Sequence, residues 1–316
     1  MQTPYVAGIQ PKGEGWIKLN TNENPYPPRL HGHLNLGALR LYPDADSGAL
    51  CEAIAETYGV SPANVFCGNG SDEVLALAFQ AFFAGREVMM PAVSYGFYPV
   101  WAELYGVRAK LVPLRDWAID WSEYGGDCII ANPNAPTGLA FEITNIPRGG
   151  VVIIDEAYLD FAQVPSVIAL TKQYENLLVV RTFSKSYSLA GLRVGFAIGN
   201  EKLIRQLKIT KDCFNSYPLD QLAQTLAAEA IRQPPRVAEV IATREWLKKR
   251  IPCLDSQANF VFWEAGDAKQ MYERLLTQKI LVRYWERFPH HLRVSIGTQE
   301  EMEAFLHAAN NQGNGY

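Results

Sequence analysis

No apolar run in the chain approaches the ~20 residues of a membrane-spanning helix, so no membrane partner is read. The opening ten residues, MQTPYVAGIQ, carry no basic stretch ahead of an apolar one, and no secretory leader is read. Cysteine is scarce. The five present (Cys51, Cys67, Cys128, Cys213 and Cys253) are an odd number scattered without C-x-x-C spacing, which reads as reduced thiols in a cytoplasm and not as a disulfide framework. The net charge of -4 gives no electrostatic attraction to nucleic acid. His31 and His33 lack further ligands at metal-binding spacing and read as loop residues, so no metal is expected. Repeats, low-complexity segments and charge blocks are also missing.

What remains is globular: 316 residues, 48% hydrophobic and 20% charged, enough for a large core and, as a prior, two domains. Short apolar runs at 87–91, 128–131, 177–182 and 194–198 read as strands, 65–70 as a short strand running into a glycine turn, and 151–160 as a β-branched run ending in acid. Apolar residues at helical spacing cover 48–58, with Gly59 as the stop, and a second helix starts near Ser71 or Asp72 as its cap. Residues 201–211 read as a basic, exposed helix, and 237–250 as a long amphipathic one after the Q-P-P-R break. The tail alternates strand, helix and strand signals from Ala258 to Thr298, a small α/β unit. Continuous apolar strands mixed with helices predict an α/β fold with a mostly parallel sheet, whose ligands collect at the strands' C-terminal ends.

Several stretches carry chemistry. In V-V-R-T-F-S-K-S-Y-S-L-A-G-L-R-V-G, Lys185 has Thr182 and Ser184 before it and Arg193 eight residues after it. Two hydroxyls and a guanidinium around a lysine suit a phosphate held beside an amine, as pyridoxal phosphate requires; a solvated lysine in a Ser-rich turn is the bland alternative. Gly70, Ser71 and Asp72 open a helix, where backbone N–H groups and the helix dipole favour an anion. Asp155 ends the apolar run Val151 to Ile154, where a carboxylate could face a ring nitrogen or merely cap the next segment.

The lysine stretch resembles that of the fold-type I pyridoxal-phosphate aminotransferases, within them the histidinol-phosphate aminotransferase-like branch. N-E-N-P, Y-P-D, G-S-D-E, N-P-N-x-P-T-G, D-E-A-Y, T-F-S-K to L-R and R-V-x-x-G occur in that family's order from Leu19 to Thr298. The resemblance implies pyridoxal 5'-phosphate as cofactor and Lys185 as the catalytic amine. It implies that Gly70, Ser71, Asp72, Thr182, Ser184 and Arg193 hold the phosphate and that Tyr95 stacks on the ring. Asp155 would pair with the ring nitrogen, Tyr158 would donate to the 3' oxygen, and Arg293 would fork onto a substrate carboxylate. Asn22 lies in an arm expected to fold over the site, and Tyr42 is expected to reach a neighbouring subunit's cofactor in a homodimer. One position departs from the pattern: Ala135 stands where an asparagine normally meets the 3' oxygen, so either Asn134 takes that bond or it is weakened. Only sixteen residues separate Gly138 from Asp155, where the family fits an extra helix.

The expected division is a large cofactor-binding domain over 29–232, with an N-terminal arm and a small domain over 1–28 and 233–316. The expected activity is transfer of an amino group from histidinol phosphate or an aromatic or related amino acid to a 2-oxo acid such as 2-oxoglutarate, in the cytoplasm. A decarboxylase resembling threonine-phosphate decarboxylase is the alternative, since cofactor motifs do not reveal which Cα bond is aligned. A regulatory role on this fold would need a basic helix-turn-helix region, and none is read ahead of the first motif.

Overall fold

The computed structural model describes residues 4–31 and 35–310; His33 lies outside them. The strands are β1 (Ile17–Leu19), β2 (Val65–Asn69), β3 (Glu87–Pro91), β4 (Arg108–Val112), β5 (Cys128–Ala131), β6 (Val152–Asp155), β7 (Leu177–Thr182), β8 (Val194–Gly199), β9 (Phe260–Glu264), β10 (Ile280–Val282) and β11 (His291–Ser295). The helices are α1 (Gly48–Tyr58), α2 (Gly70–Ala78), α3 (Tyr98–Leu104), α4 (Glu201–Asp212), α5 (Gln221–Ala230), α6 (Ala238–Lys248), α7 (Ala268–Thr277) and α8 (Gln299–Asn310).

Seven strands form one sheet in the order β2-β8-β7-β6-β5-β3-β4, and of these only β8 runs antiparallel to its neighbours. This is the mostly parallel α/β sheet expected. Its central strands are apolar on both faces because both are covered. Cys128, Ile130, Val152, Ile154, Val179 and Phe196 point into the cluster that contains α1 and α5. Ile129, Ile153, Leu178, Val180 and Ala197 point into the cluster of α2, α3 and α4. Each fully buried Val, Ile or Leu contributes about 1.5–3 kcal/mol relative to an exposed one, so the buried strands β6 and β7 are firm places to mount a site at their ends. A third cluster joins α6, α7 and α8 to the pairs β1–β10 and β9–β11. The arm enters it as β1, placing Leu19 in its core.

Two local expectations change. Neither Ser71 nor Asp72 caps α2: the helix begins at Gly70 with Asn69 before it and no side-chain cap, because the Asp72 carboxylate is engaged by Tyr95 and Arg193. α4 is not merely an exposed face: Ile204 and Leu207 enter the core, and Lys211 is buried, donating to the Ala45 and Ser216 carbonyls. The short crossover between β5 and β6 carries no helix; Ile143 and Ile146 tuck under the sheet, with Phe141 packed beside them.

Candidate active site

The C-terminal ends of β5, β6 and β7 meet the N-terminus of α2 and the arm around a cavity of about 540 Å³, a size that suits a small organic ligand. Lys185 lies on its wall, just beyond β7, and its Nζ donates to the Thr21 carbonyl at 3.0 Å. Burial lowers its pKa to about 8, with Glu23 opposing that shift and Arg293 adding to it.

One end of the cavity is a donor cradle. Ser71, Thr182, Ser184 and Arg193 line it. Arg193 Nη1 donates to Ser184 Oγ at 3.3 Å, and its Nη2 donates to Asp72 Oδ2 at 3.3 Å. Two glycines make this approach possible. Gly70 has φ +76, and a Cβ there would sit 2.5 Å from Arg193 Nη2. Gly195 on β8 lies so close to the start of α2 that a Cβ would fall 2.2 Å from the Ser71 nitrogen. First-turn N–H groups of a helix lack intrahelical acceptors, so the cradle combines a helix N-terminus, hydroxyls and a guanidinium.

At the other side stands Asp155, at the end of β6. Its Oδ2 accepts from the Tyr98 hydroxyl at 2.9 Å and its Oδ1 from the Ala157 N–H at 3.1 Å. Burial raises its pKa to about 6 against those two bonds. An acid moved up and an amine moved down in one cavity is the pattern of an acid–base site. Tyr95 lines the same space and donates to Asp72 Oδ1 at 2.8 Å. Tyr158 lines it too, its hydroxyl accepting from Asn22 Nδ2 at 3.0 Å. Asn22 is further held by Ser295, whose Oγ donates to Asn22 Oδ1 at 2.8 Å. Arg293 closes the cavity from β11: its Nη2 donates to the Asn20 carbonyl at 2.8 Å, while its buried Nε has no partner among the described residues. The guanidinium lies 5.3 Å from the Phe260 ring centre and 5.2 Å from that of Trp285.

Two predicted residues stand elsewhere. Asn134 does not replace the missing asparagine: its Oδ1 accepts from Ser94 at 2.8 Å and its Nδ2 donates to Val93 O and Thr137 Oγ1, while Ala135 faces the cavity. One amide hydrogen goes to Val93 in the segment after β3 and the other to Thr137 in its own loop, so the Asn134 amide is satisfied away from the cavity. Tyr42 is 82% exposed and stacks on Tyr217 at 4.7 Å, outside the cavity. Conversely, the cavity includes Tyr5, Gln10, Glu23 and Phe97, which sequence reasoning did not single out. Tyr5 stacks on Phe97 at 4.2 Å, a contact between distant segments that no local pattern announces.

The donor set suits a phosphorylated aromatic aldehyde with a ring nitrogen. The cradle matches a phosphate dianion, the buried carboxylate matches a ring N–H, and the amine between them matches the aldehyde. The unpaired Arg293 Nε offers a further anion a charged donor.

The family described as aminotransferase class I and II matches residues 14–308. The histidinol-phosphate aminotransferase of Brachyspira hyodysenteriae is 44% identical over 332 aligned positions, covering 96% of this chain and 94% of that one. Among solved structures, the histidinol-phosphate aminotransferase of Sinorhizobium meliloti in complex with pyridoxal-5'-phosphate superposes with a TM-score of 0.78 at 22% identity, covering 93% of this chain and 89% of that one. The histidinol-phosphate aminotransferase of Clostridium acetobutylicum gives 0.76 at 22% identity, with coverage of 93% and 98%. The chain belongs to the class I and II aminotransferases, with the fold-type I architecture.

Proposed function

We propose that this aminotransferase moves the amino group of histidinol phosphate, or of an aromatic or related amino acid, to a 2-oxo acid such as 2-oxoglutarate, with pyridoxal 5'-phosphate as cofactor. The observation that carries the chemistry is the buried Lys185 amine, its pKa lowered to about 8, in one cavity with a phosphate-type cradle and Asp155. The substrate part is supported by likeness along nearly the whole chain to proteins named histidinol-phosphate aminotransferase.

In this reading Gly70, Ser71, Asp72, Thr182, Ser184 and Arg193 would hold the cofactor's phosphate. Tyr95 would cover its ring, Tyr158 would donate to the 3' oxygen, and Asp155 would keep the ring nitrogen protonated. When bound, pyridoxal phosphate supplies an electron sink that makes the donor's Cα–H acidic. Lys185 Nζ takes that proton and later returns it, and the lowered pKa leaves a useful neutral fraction near neutral pH. Arg293 grips the α-carboxylate of the 2-oxo acid, its Nε being the buried donor without a partner. Asn22 fixes Tyr158 from the arm, and the arm with Tyr5 keeps water from the reacting atoms. The reading includes a homodimer, in which Tyr42 completes the partner's cradle. The exposed Leu36, Leu39, Leu41, Phe214 and Tyr217 in its neighbourhood support it. It also keeps the division into 29–232 and the arm plus small domain, and a cytoplasmic setting; the separate apolar cluster around β9 to β11 supports the division.

The test is a single half-reaction, followed by the absorbance of bound cofactor, with histidinol phosphate, phenylalanine or glutamate as donor. Histidinol phosphate should react fastest, and Lys185→Ala should abolish the change with every donor. Full reactivity in Lys185→Ala, or carbon dioxide release from a carboxylated donor in place of amino transfer, would sink the reading.

A further inference from the structure

Asp155 has two partners, and one of them lies outside the cavity. Tyr98 opens α3, is 1% exposed, and is absent from the cavity lining. Its hydroxyl reaches Asp155 Oδ2 at 2.9 Å from behind. Its ring is wedged edge-on against Tyr95, centres 5.7 Å apart at 87°, and beside Phe79 at 6.4 Å. One short turn thus presents two tyrosines at i and i+3 with separate tasks. Tyr95 faces the cavity and bonds Asp72, while Tyr98 sits underneath and bonds Asp155.

We propose that Tyr98 is a positioning residue of this aminotransferase, whose buried hydroxyl fixes the Asp155 carboxylate and keeps it ionised toward the cavity. The proposal rests on the reading that Asp155 is the ring nitrogen's partner. The geometry supports it first. With Tyr98 on Oδ2 and the Ala157 N–H on Oδ1, both carboxylate oxygens are held from the protein side, so the group cannot rotate freely. The electrostatics point the same way. Burial drives Asp155 toward its neutral form, and the nearby carboxylates Asp72 and Glu156 push in the same sense. The Tyr98 hydroxyl is the foremost opposing influence, followed by the Ala157 N–H. Tyr98 itself stays protonated, because burial and then Asp155 raise its pKa well above that of a free phenol. It is therefore a permanent donor across the working pH range. A neutral donor here does what a second cation would do, without adding a charge that would compete for the carboxylate.

Tyr98→Phe removes one oxygen and leaves the ring. The carboxyl stretch of Asp155 in the full-length protein freed of cofactor, identified as the band lost in Asp155→Asn, reports its protonation by infrared titration. In Tyr98→Phe its midpoint should rise by about one to two pH units, the scale of one hydrogen bond to a charged group. In the holoenzyme the acid limb of the kcat/KM profile should move the same way, with kcat falling and donor KM little changed. Phe79→Leu, which disturbs the packing and spares the hydroxyl, should move neither. Should Tyr98→Phe fold poorly, a ring-fluorinated tyrosine at 98 is a stronger donor of the same shape and should lower the midpoint. An unmoved midpoint, an equal movement in Phe79→Leu, or a moved midpoint with an unmoved acid limb would overturn the proposal. Failure of the proposed function is read separately, from the half-reactions of Lys185→Ala.

Discussion

Arg181 is the buried cation that joins the two strand ends bearing the site. It is 4% exposed on β7. Its Nη1 donates to Glu156 Oε2 at 3.0 Å, its Nη2 pairs with Asp160, and the guanidinium lies 5.3 Å from the Tyr58 ring centre. Glu156 directly follows Asp155, and Asp160 accepts from Ser186, the residue after Lys185. Arg181→Met keeps most of the volume and removes the charge. Glu156, 2% exposed, would then retain only the Ser166 hydroxyl and the Val167 N–H as donors. Leaving one buried ion without its partner costs about 3–5 kcal/mol. The sign with pH follows from the carboxyl. Burial already raises the Glu156 pKa, and Arg181 is the leading influence holding it down. Without Arg181 the folded value rises further above the unfolded one. The folded protein then binds more protons than the unfolded one, so stability is lost as pH rises through this window and recovered as pH falls toward the unfolded carboxyl's range. Urea unfolding of the cofactor-free protein should therefore show the full penalty at pH 8 and a clearly smaller one near pH 5.5. Adding Glu156→Gln should recover much of the loss at pH 8, since an amide needs no counter-charge. A penalty under about 1 kcal/mol at pH 8, or one that does not change with pH, would refute the argument that this pair is buried and mutually required.

Asp155→Asn should keep the fold and much of the cofactor but slow the Cα proton-transfer step by orders of magnitude, each ~1.4 kcal/mol of lost transition-state stabilisation being tenfold. Single-turnover kinetics with a Cα-deuterated donor measures it, and a near-native rate at full cofactor occupancy would remove Asp155 from its assigned role. Tyr42→Phe should weaken cofactor retention by about 1 kcal/mol if its hydroxyl bonds the partner's phosphate; equilibrium dialysis reads the loss, and a competent monomer in sedimentation would contradict the shared site.

The strand framework was legible because burial writes itself into local composition. β3, β5 and β7 begin and end at the expected residues, since strands covered on both faces must be continuous apolar runs. α1 stops where expected because Gly59 takes the left-handed conformation, φ 63, that a glycine tolerates. β1 and β4 were not legible. β1 is three residues whose strand character comes from pairing with β10, and β4 is an edge strand with four of its five residues exposed. α8 is absent from the sequence-based expectation although Met302, Phe305, Leu306 and Ala309 recur at i, i+3, i+4 and i+7, so its pattern was there to be read.

The site divides along a similar line. Lys185, Asp155 and the cradle residues occupy the ends of strands or the start of a helix, so locating the strand locates the residue. What stands behind them is set by contacts between distant segments. The bond of Tyr98 to Asp155 spans 57 residues of sequence, so no local pattern announces it. The Asn134 amide could be assigned to a ligand only while its loop was unknown. Once the loop is closed, Ser94, Val93 and Thr137 use the amide, and a buried polar group already satisfied has little to gain from turning toward a ligand. Restoring an asparagine at 135 would then supply a donor at the cavity wall itself, where the Asn134 side chain does not reach. In the proposed function, the alanine at 135 would leave the 3' oxygen to the Tyr158 hydroxyl, and Asn22, which donates to that hydroxyl at 3.0 Å, would orient it.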